Sequence, residues 1–314
     1  MSPPLPSHNA SHVTTHEIQV TTPYRLDLTV SALRRTKSNL VDVYTSDGRY
    51  LRALEGFPEP VIVSVTQPRA EALTASVSGS AGDAERVLVS VRRMLGTERD
   101  LSDFVRQAHA IPWLVPLARR MSGLKPPRYP ALFEACANAI LFQQVSLSAA
   151  SAIMRRLLLA LGTRVEHDGV PLTVFPSVEV LLGADDAVIR AAGVSTGKLA
   201  TLRRVGEAIV AGAISEAMLE ERSSDKAALL LRGIKGIGPW TAAVILLRGL
   251  GRLDIFPDKD SSVAANLALV AGKDVVAGSI VATLGSQCGM LYFYLLLARL
   301  EARGEIGRAS DVAT

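Results

Sequence analysis

Residues 231–243 read Leu-Arg-Gly-Ile-Lys-Gly-Ile-Gly-Pro-Trp-Thr-Ala-Ala, and this stretch decides the fold. A helical run over Ala227 to Leu231 stops at Gly233, a residue type suited to a left-handed C-terminal cap. Gly236 and Gly238 permit a tight turn and leave the main chain without side-chain cover. Pro239 then opens the next helix, at a first-turn position where a missing N–H costs nothing. Ile234 and Ile237 are placed to tuck between the two helices. The expected product is a short hairpin whose bare N–H groups face outward beside a helix N-terminus, a ready site for an anionic phosphate. An ordinary glycine-punctuated helical hairpin would use the same residue types.

Working outward, a helix is expected from Trp240 to Leu250, followed by Gly251-Arg-Leu-Asp-Ile-Phe-Pro-Asp-Lys-Asp-Ser-Ser-Val263. This loop concentrates Asp254, Asp258 and Asp260 around Phe256-Pro257 and enters another helix, with Asp260 or Ser261 able to serve as an N-cap. Upstream, Pro126-Pro-Arg-Tyr-Pro130 is a breaker, and Ala131 to Leu161 reads as helix interrupted near Gln143-Gln144.

Together these segments resemble the helix-hairpin-helix DNA glycosylase superfamily, in its 3-methyladenine DNA glycosylase II (AlkA-like) branch. The resemblance rests on the glycine hairpin, the Pro-Trp-Thr-Ala after it, Phe-Pro-x-x-Asp one helix later, and the Gln-Gln-Val-Ser of residues 143–146. It runs from about Leu101 to about Glu301. It implies a monofunctional enzyme of base excision repair that flips an alkylated base of the 3-methyladenine type from double-stranded DNA and cleaves its N-glycosidic bond. Asp260 takes the catalytic place, with Asp258 as runner-up; a fixed carboxylate there would stabilise an oxocarbenium-like sugar. Trp240 stands where bifunctional relatives carry a nucleophilic lysine, so no lyase step is expected.

The same resemblance gives Trp240, Phe142 and Tyr292 as aromatic substrate-binding candidates, suited to an electron-poor methylated purine. Gln144 is the candidate wedge into the duplex. Gly236, Gly238, Lys235 and Lys198 are candidates for phosphate contact. A monovalent cation at the hairpin is compatible with the family, and two cysteines are too few for an iron–sulfur cluster. The chain departs from the branch at Gln287-Cys-Gly-Met-Leu-Tyr-Phe-Tyr294, where an aromatic-rich Pro-Trp-Arg is common, and at Val244. Both departures fall on the pocket. They keep open a glycosylase for deaminated or oxidised bases, and a hairpin protein that binds DNA without catalysis is the third alternative.

The rest of the chain sets the frame. Residues 1–17 read as a flexible tail, 18–100 as a small α+β antiparallel-sheet domain, and 101–314 as an all-helical domain, a mostly α protein overall. Tyr24 to Val30 alternates like a strand, as do Val41 to Tyr44, Tyr50 to Leu54, Pro60 to Val65 and Ala72 to Val77. Asp83 to Leu95 has helical spacing and ends at Gly96. From Leu101 the period is helical throughout. The 314 residues carry a net charge of +4, compatible with a polyanionic partner. No stretch is apolar for about 18 residues. Cys136 and Cys288 lie in apolar surroundings and read as buried thiols of a cytoplasmic, bacterial, nucleoid-associated protein, and a monomer is the simple expectation. The scattered histidines suggest no metal site.

Overall fold

The structure is a computed structural model describing residues 12–79, 81–257, 261–272 and 275–307. The N-terminal unit comprises β1 (His12–Gln19), α1 (Leu26–Arg34), β2 (Val43–Tyr44), β3 (Tyr50–Leu54), β4 (Val61–Arg69), β5 (Ala72–Gly79) and α2 (Ala84–Leu95). The strands form one antiparallel sheet in the order β1-β5-β4-β3-β2. Pairs such as Ile18 with Leu73 and Val63 with Val77 fix its register. One face of the sheet packs on α1 and α2 through Val30, Leu33, Val87 and Val91.

Next come α3 (Ser102–Ala108), α4 (Leu114–Arg120), α5 (Leu132–Leu141) and α6 (Leu147–Leu161). A hairpin of β6 (Thr163–His167) and β7 (Val170–Val174) interrupts the helices. The chain continues through α7 (Val178–Gly183), α8 (Asp186–Ala191), α9 (Thr196–Val210), α10 (Glu216–Glu220), α11 (Ser224–Arg232) and α12 (Pro239–Gly249). It closes with α13 (Ser261–Ala271), α14 (Ala277–Leu284) and α15 (Gly289–Ala302). One core lies among α5, α9 and α12, and a second surrounds α15. Cys136 and Cys288 are free and buried, and burial pushes their thiols up to about 12 and about 11.

Three sequence expectations change. Residues 24–30 begin a helix rather than a strand. Leu26, Val30 and Leu33 face the sheet, while Leu28 and Ala32 face the cluster around α15. A helix buried on two sides carries apolar residues at both helical and alternating spacings, so its linear pattern mimics a strand. The expected tail is shorter than 1–17, because the polar run from His12 pairs with β5 as an edge strand. The helical domain contains the β6–β7 hairpin, turned by Asp168 and Gly169 at φ +50 and +74. An Asp-Gly pair of this kind is the sequence signature of a two-residue hairpin turn.

The two units share buried polar contacts. The N–H of Thr173 in β7 donates to the Leu40 carbonyl at 2.8 Å. The fully buried Arg52 on β3 pairs with Asp42 at 2.6 Å and with Glu134 on α5, while the Tyr50 hydroxyl donates to Asp42 at 2.8 Å. One guanidinium thus answers two buried carboxylates. Replacing Arg52 by Met strands both acids, whereas Glu134→Gln leaves the guanidinium with Asp42. Arg52→Met should therefore destabilise the fold by about 3–5 kcal/mol, and by more than Glu134→Gln, in urea unfolding at neutral pH. Equal losses from the two would contradict this account of the network.

Candidate functional site

The hairpin between α11 and α12 forms as its residues dictate, with one change of detail. Gly233 keeps a helical φ of −61°, and the left-handed residue is Gly236 at φ +104. Gly236 is required twice over, because a Cβ there would stand 2.0 Å from the Thr201 hydroxyl of α9. Gly238 caps α12 from an extended conformation, and a Cβ built on it meets nothing within 4 Å. Ile237 is buried between the helices. Among the described residues no acceptor is bonded to the N–H of Gly236 or Gly238, while Lys235 and Gly236 are exposed. The turn offers bare donors at a helix N-terminus.

Beside it, the loop between α5 and α6 carries Gln144 exposed and held at φ +52, an uncommon conformation for a residue with a side chain. Its neighbours supply the restraint. The Gln143 amide donates to the Gly236 carbonyl at 3.3 Å and to the Thr241 hydroxyl. Lys198 from α9 donates its amine to the carbonyls of Leu141 and Gln143 at 2.8 and 2.9 Å. Its charge thus answers the carbonyl end of α5, although burial lowers its pKa. Lys198, expected from sequence to face a phosphate, instead directs its amine inward to brace this loop. Ser146 caps α6 by accepting from the Ala149 N–H at 3.2 Å.

A cleft of about 640 Å³ opens next to this loop. Phe142, Trp240 and Tyr292 line it together with Gln144, so residues from three distant segments meet in one place. Ala265 and Asn266 of α13 and Arg299 of α15 complete much of the wall. Asn266 is buried and accepts from Arg299 at 3.0 Å through its side-chain oxygen. Asp258, Lys259 and Asp260 lie outside the described residues. The helix that starts directly after Asp260 in sequence is the one contributing Ala265 and Asn266.

Sequence reasoning missed the brace by Gln143 and the contribution of Arg35. Arg35 follows α1, adopts φ +62 and is 6% exposed. Its guanidinium lies 4.4 Å from the centre of the Phe142 ring and donates to the Tyr292 hydroxyl at 3.4 Å. No linear signal places an N-terminal arginine in a cleft built mainly by the helical domain. Gln143, by contrast, adjoined the expected wedge and had a polar side chain with no other assignment.

No protein-family model matches the chain. A DNA-3-methyladenine glycosylase of Bacillus subtilis is 27% identical over 186 residues, covering 59% of this chain and 61% of the relative. A probable bifunctional transcriptional activator/DNA repair enzyme AlkA of Mycobacterium tuberculosis is 33% identical over 221 residues, covering 68% of this chain and 42% of the relative. The chain thus spans roughly half the length of these curated relatives, 61% of one and 42% of the other. The solved 3-methyladenine DNA-glycosylase from Archaeoglobus fulgidus shares the fold with a TM-score of 0.78 at 23% identity, over 90% of this chain and 98% of that one.

A sheet-bearing N-terminal unit, a helical core and a glycine hairpin beside an aromatic cleft define the helix-hairpin-helix DNA glycosylase fold. In sequence the chain is similar to proteins named as 3-methyladenine DNA glycosylases and AlkA, the AlkA-like branch that its motifs resemble.

Two outcomes follow from the local geometry. Gly236→Ala should cost about 1–3 kcal/mol of stability from backbone strain alone, with the Thr201 clash added, as read by urea unfolding. Lys198→Met should speed amide exchange across residues 142–146 while α12 keeps its protection. Unchanged exchange in that loop would remove the bracing role.

Proposed function

We propose that this protein is a monofunctional DNA glycosylase of base excision repair, which flips a modified base out of duplex DNA and hydrolyses its N-glycosidic bond. The observation that carries the reading is the convergence of Phe142, Trp240, Tyr292 and Gln144 on one cleft beside the open-faced hairpin. In this reading the N–H groups of Gly236 and Gly238 hold a phosphate next to the lesion, with Lys235 adding charge. Gln144, pre-set by its left-handed backbone, fills the gap that the extruded base leaves. The base enters the cleft and stacks against Trp240, with Phe142 and Tyr292 nearby.

Asp260 is the proposed catalytic group. As the C1′–N bond breaks, its electron pair leaves with the base and positive charge builds on the sugar. A carboxylate stabilises that charge and accepts a proton from the attacking water. The products are free base and an abasic site. Trp240 offers no amine for a Schiff base, so the strand remains intact. Alkylated bases of the 3-methyladenine type are the first substrate class, as the names of the relatives suggest. Deaminated or oxidised bases form a second class, favoured by the hydrogen-bond donors that Arg35 brings to the cleft.

Asp260→Asn should abolish base release in single-turnover assays on methylated duplex while binding to the same duplex stays within a few-fold of wild type. Release at the wild-type rate would end the assignment. Affinity for duplex should fall steeply as salt rises from about 50 to about 200 mM, as phosphate anchoring requires. Nicking of the product should need alkali; borohydride-trapped strand cleavage without it would show a lyase instead.

A further inference from the structure

The aromatic side chains of the cleft can hold the faces of a base, and a neutral polar group in its wall is left with unused hydrogen bonds. Asn266 lies in Val263-Ala-Ala-Asn-Leu-Ala-Leu-Val-Ala271 and is the one polar residue of that run. Its neighbours Val263 and Leu267 are buried in the core around α15. Asn266 itself is 5% exposed and lines the cleft together with Tyr292, Leu296 and Arg299, which recur at helical spacing on one face of α15. A buried amide on an apolar helix destabilises the fold unless its hydrogen bonds are made. Among the described residues a single one is made: Arg299 donates to the side-chain oxygen at 3.0 Å. A guanidinium has donors and no acceptor, so this contact settles which end of the amide is which. The oxygen faces Arg299 and the NH2 group faces away from it. That nitrogen is not among the polar atoms sealed in protein without a partner, so the open space it meets is the cleft.

An amide pinned by its oxygen presents donors and nothing else. Gln144 and Ser146, polar side chains of the same cleft, are exposed, whereas Asn266 is buried in the wall. A flipped purine stays tied to its strand through the sugar, so the edge remote from the sugar leads into the pocket and is read there by hydrogen bonds. We propose that Asn266 is a specificity-determining residue of the base pocket, donating a side-chain N–H to an acceptor on the edge of the flipped purine. The bases it favours keep a carbonyl oxygen or a bare ring nitrogen at that edge. A base with an N–H or a methyl group there leaves the amide unpaired and is rejected, as sites built around a buried hydrogen bond reject analogues that lack it. Arg299 is the positioning residue, acting through Asn266 by fixing the orientation of the amide. This role rests on the glycosylase reading and on hydrogen-bond geometry, and does not depend on the charge of the cleft.

The test deletes the acceptors of the base one at a time. Duplexes carry hypoxanthine, 3-deazahypoxanthine, 7-deazahypoxanthine or unsubstituted purine at one position, so that each analogue lacks N3, N7 or O6 in turn. A 2′-fluoro sugar, which disfavours the oxocarbenium-like state, keeps every base attached while dissociation constants are measured. Wild type should bind one analogue about fivefold more weakly than hypoxanthine, the loss of one net hydrogen bond. In N266A the same gap should close to within about twofold, because no donor is left to miss the acceptor. If Asn266 serves only to hold Arg299, its loss shifts all the affinities together and leaves the gap in place. If N266A does not fold, N266D keeps an oxygen for Arg299 without a donor for the base, and the same comparison decides. Equal binding of all these duplexes by wild type, or a gap that survives in the variant, overturns the proposal while the glycosylase reading stands. Wild-type protein that prefers neither a hypoxanthine nor a 7-methylguanine duplex over undamaged DNA brings down the glycosylase reading and this assignment with it.

Discussion

The buried guanidinium of Arg248 is the contact on which the site depends. It lies at the far end of α12 from the hairpin, and its two hydrogen bonds to Ala32 and Leu33 fix where α1 ends. A dehydrated charge is tolerated only while its field is answered. Here the carbonyl end of α1, which accepts from Nη2, and the faces of Tyr129 and Phe293 answer it, while Nε and Nη1 have no hydrogen-bond partner among the described residues. Arg35 is the residue after α1, so its position on Phe142 is a consequence of that docking. At the other end of the same helix stand Gly238 and Trp240. One helix thus sets the register of the phosphate-facing turn, the aromatic wall and the N-terminal unit together.

That arrangement needs α12 to be immobile, and its packing provides this. Gly249 lies so close to Ala135 of α5 that an added Cβ would come within 2.7 Å of the alanine methyl. The extended Pro126–Pro130 segment clips onto the helix end: the N–H of Tyr129 donates to the Arg248 carbonyl at 2.7 Å, and Arg128 donates to the Gly249 carbonyl at 3.0 Å. The Arg52 network holds the opposite side of α5 to the sheet. From α5 the restraint passes to the Gln144 loop through Lys198 and Gln143. The N-terminal unit is therefore structural support for the cleft as well as a contributor to it.

What the sequence made legible follows from where the information resides. The hairpin, the break at Gln143-Gln144 and the helix over Trp240 to Leu250 are local patterns, each written in glycines, prolines and periodicity. The meeting of Phe142, Trp240 and Tyr292 could be expected only through family resemblance, since no periodicity relates residues in α12, α15 and the loop after α5. The strand expected over residues 24–30 arose because α1 buries two faces, which erases the single stripe that marks a surface helix. Arg35 and Arg248 were illegible for another reason. Arginines are ordinarily exposed, and what makes these two buried is the approach of α1 to α12 and α15, contacts between residues 216 and 257 apart in sequence.

A cleft that draws in DNA must be positive, and one that stacks a methylated purine would do better to be neutral or negative. The same arginines cannot serve both needs. Phe142 shows how the conflict is resolved here, because its face is already engaged by Arg35 while no guanidinium stacks on Trp240 among the described residues. Trp240 is left as the face for the incoming base, whose edges then meet donors on one side. In the proposed mechanism, a carboxylate held near the sugar in a cleft largely shielded from water has a larger effect than it would in bulk solvent. The proposed acid at position 260 would act beside a stacked base held on Trp240, with the sugar between them, so that the aromatic face and the carboxylate serve different parts of the same nucleotide.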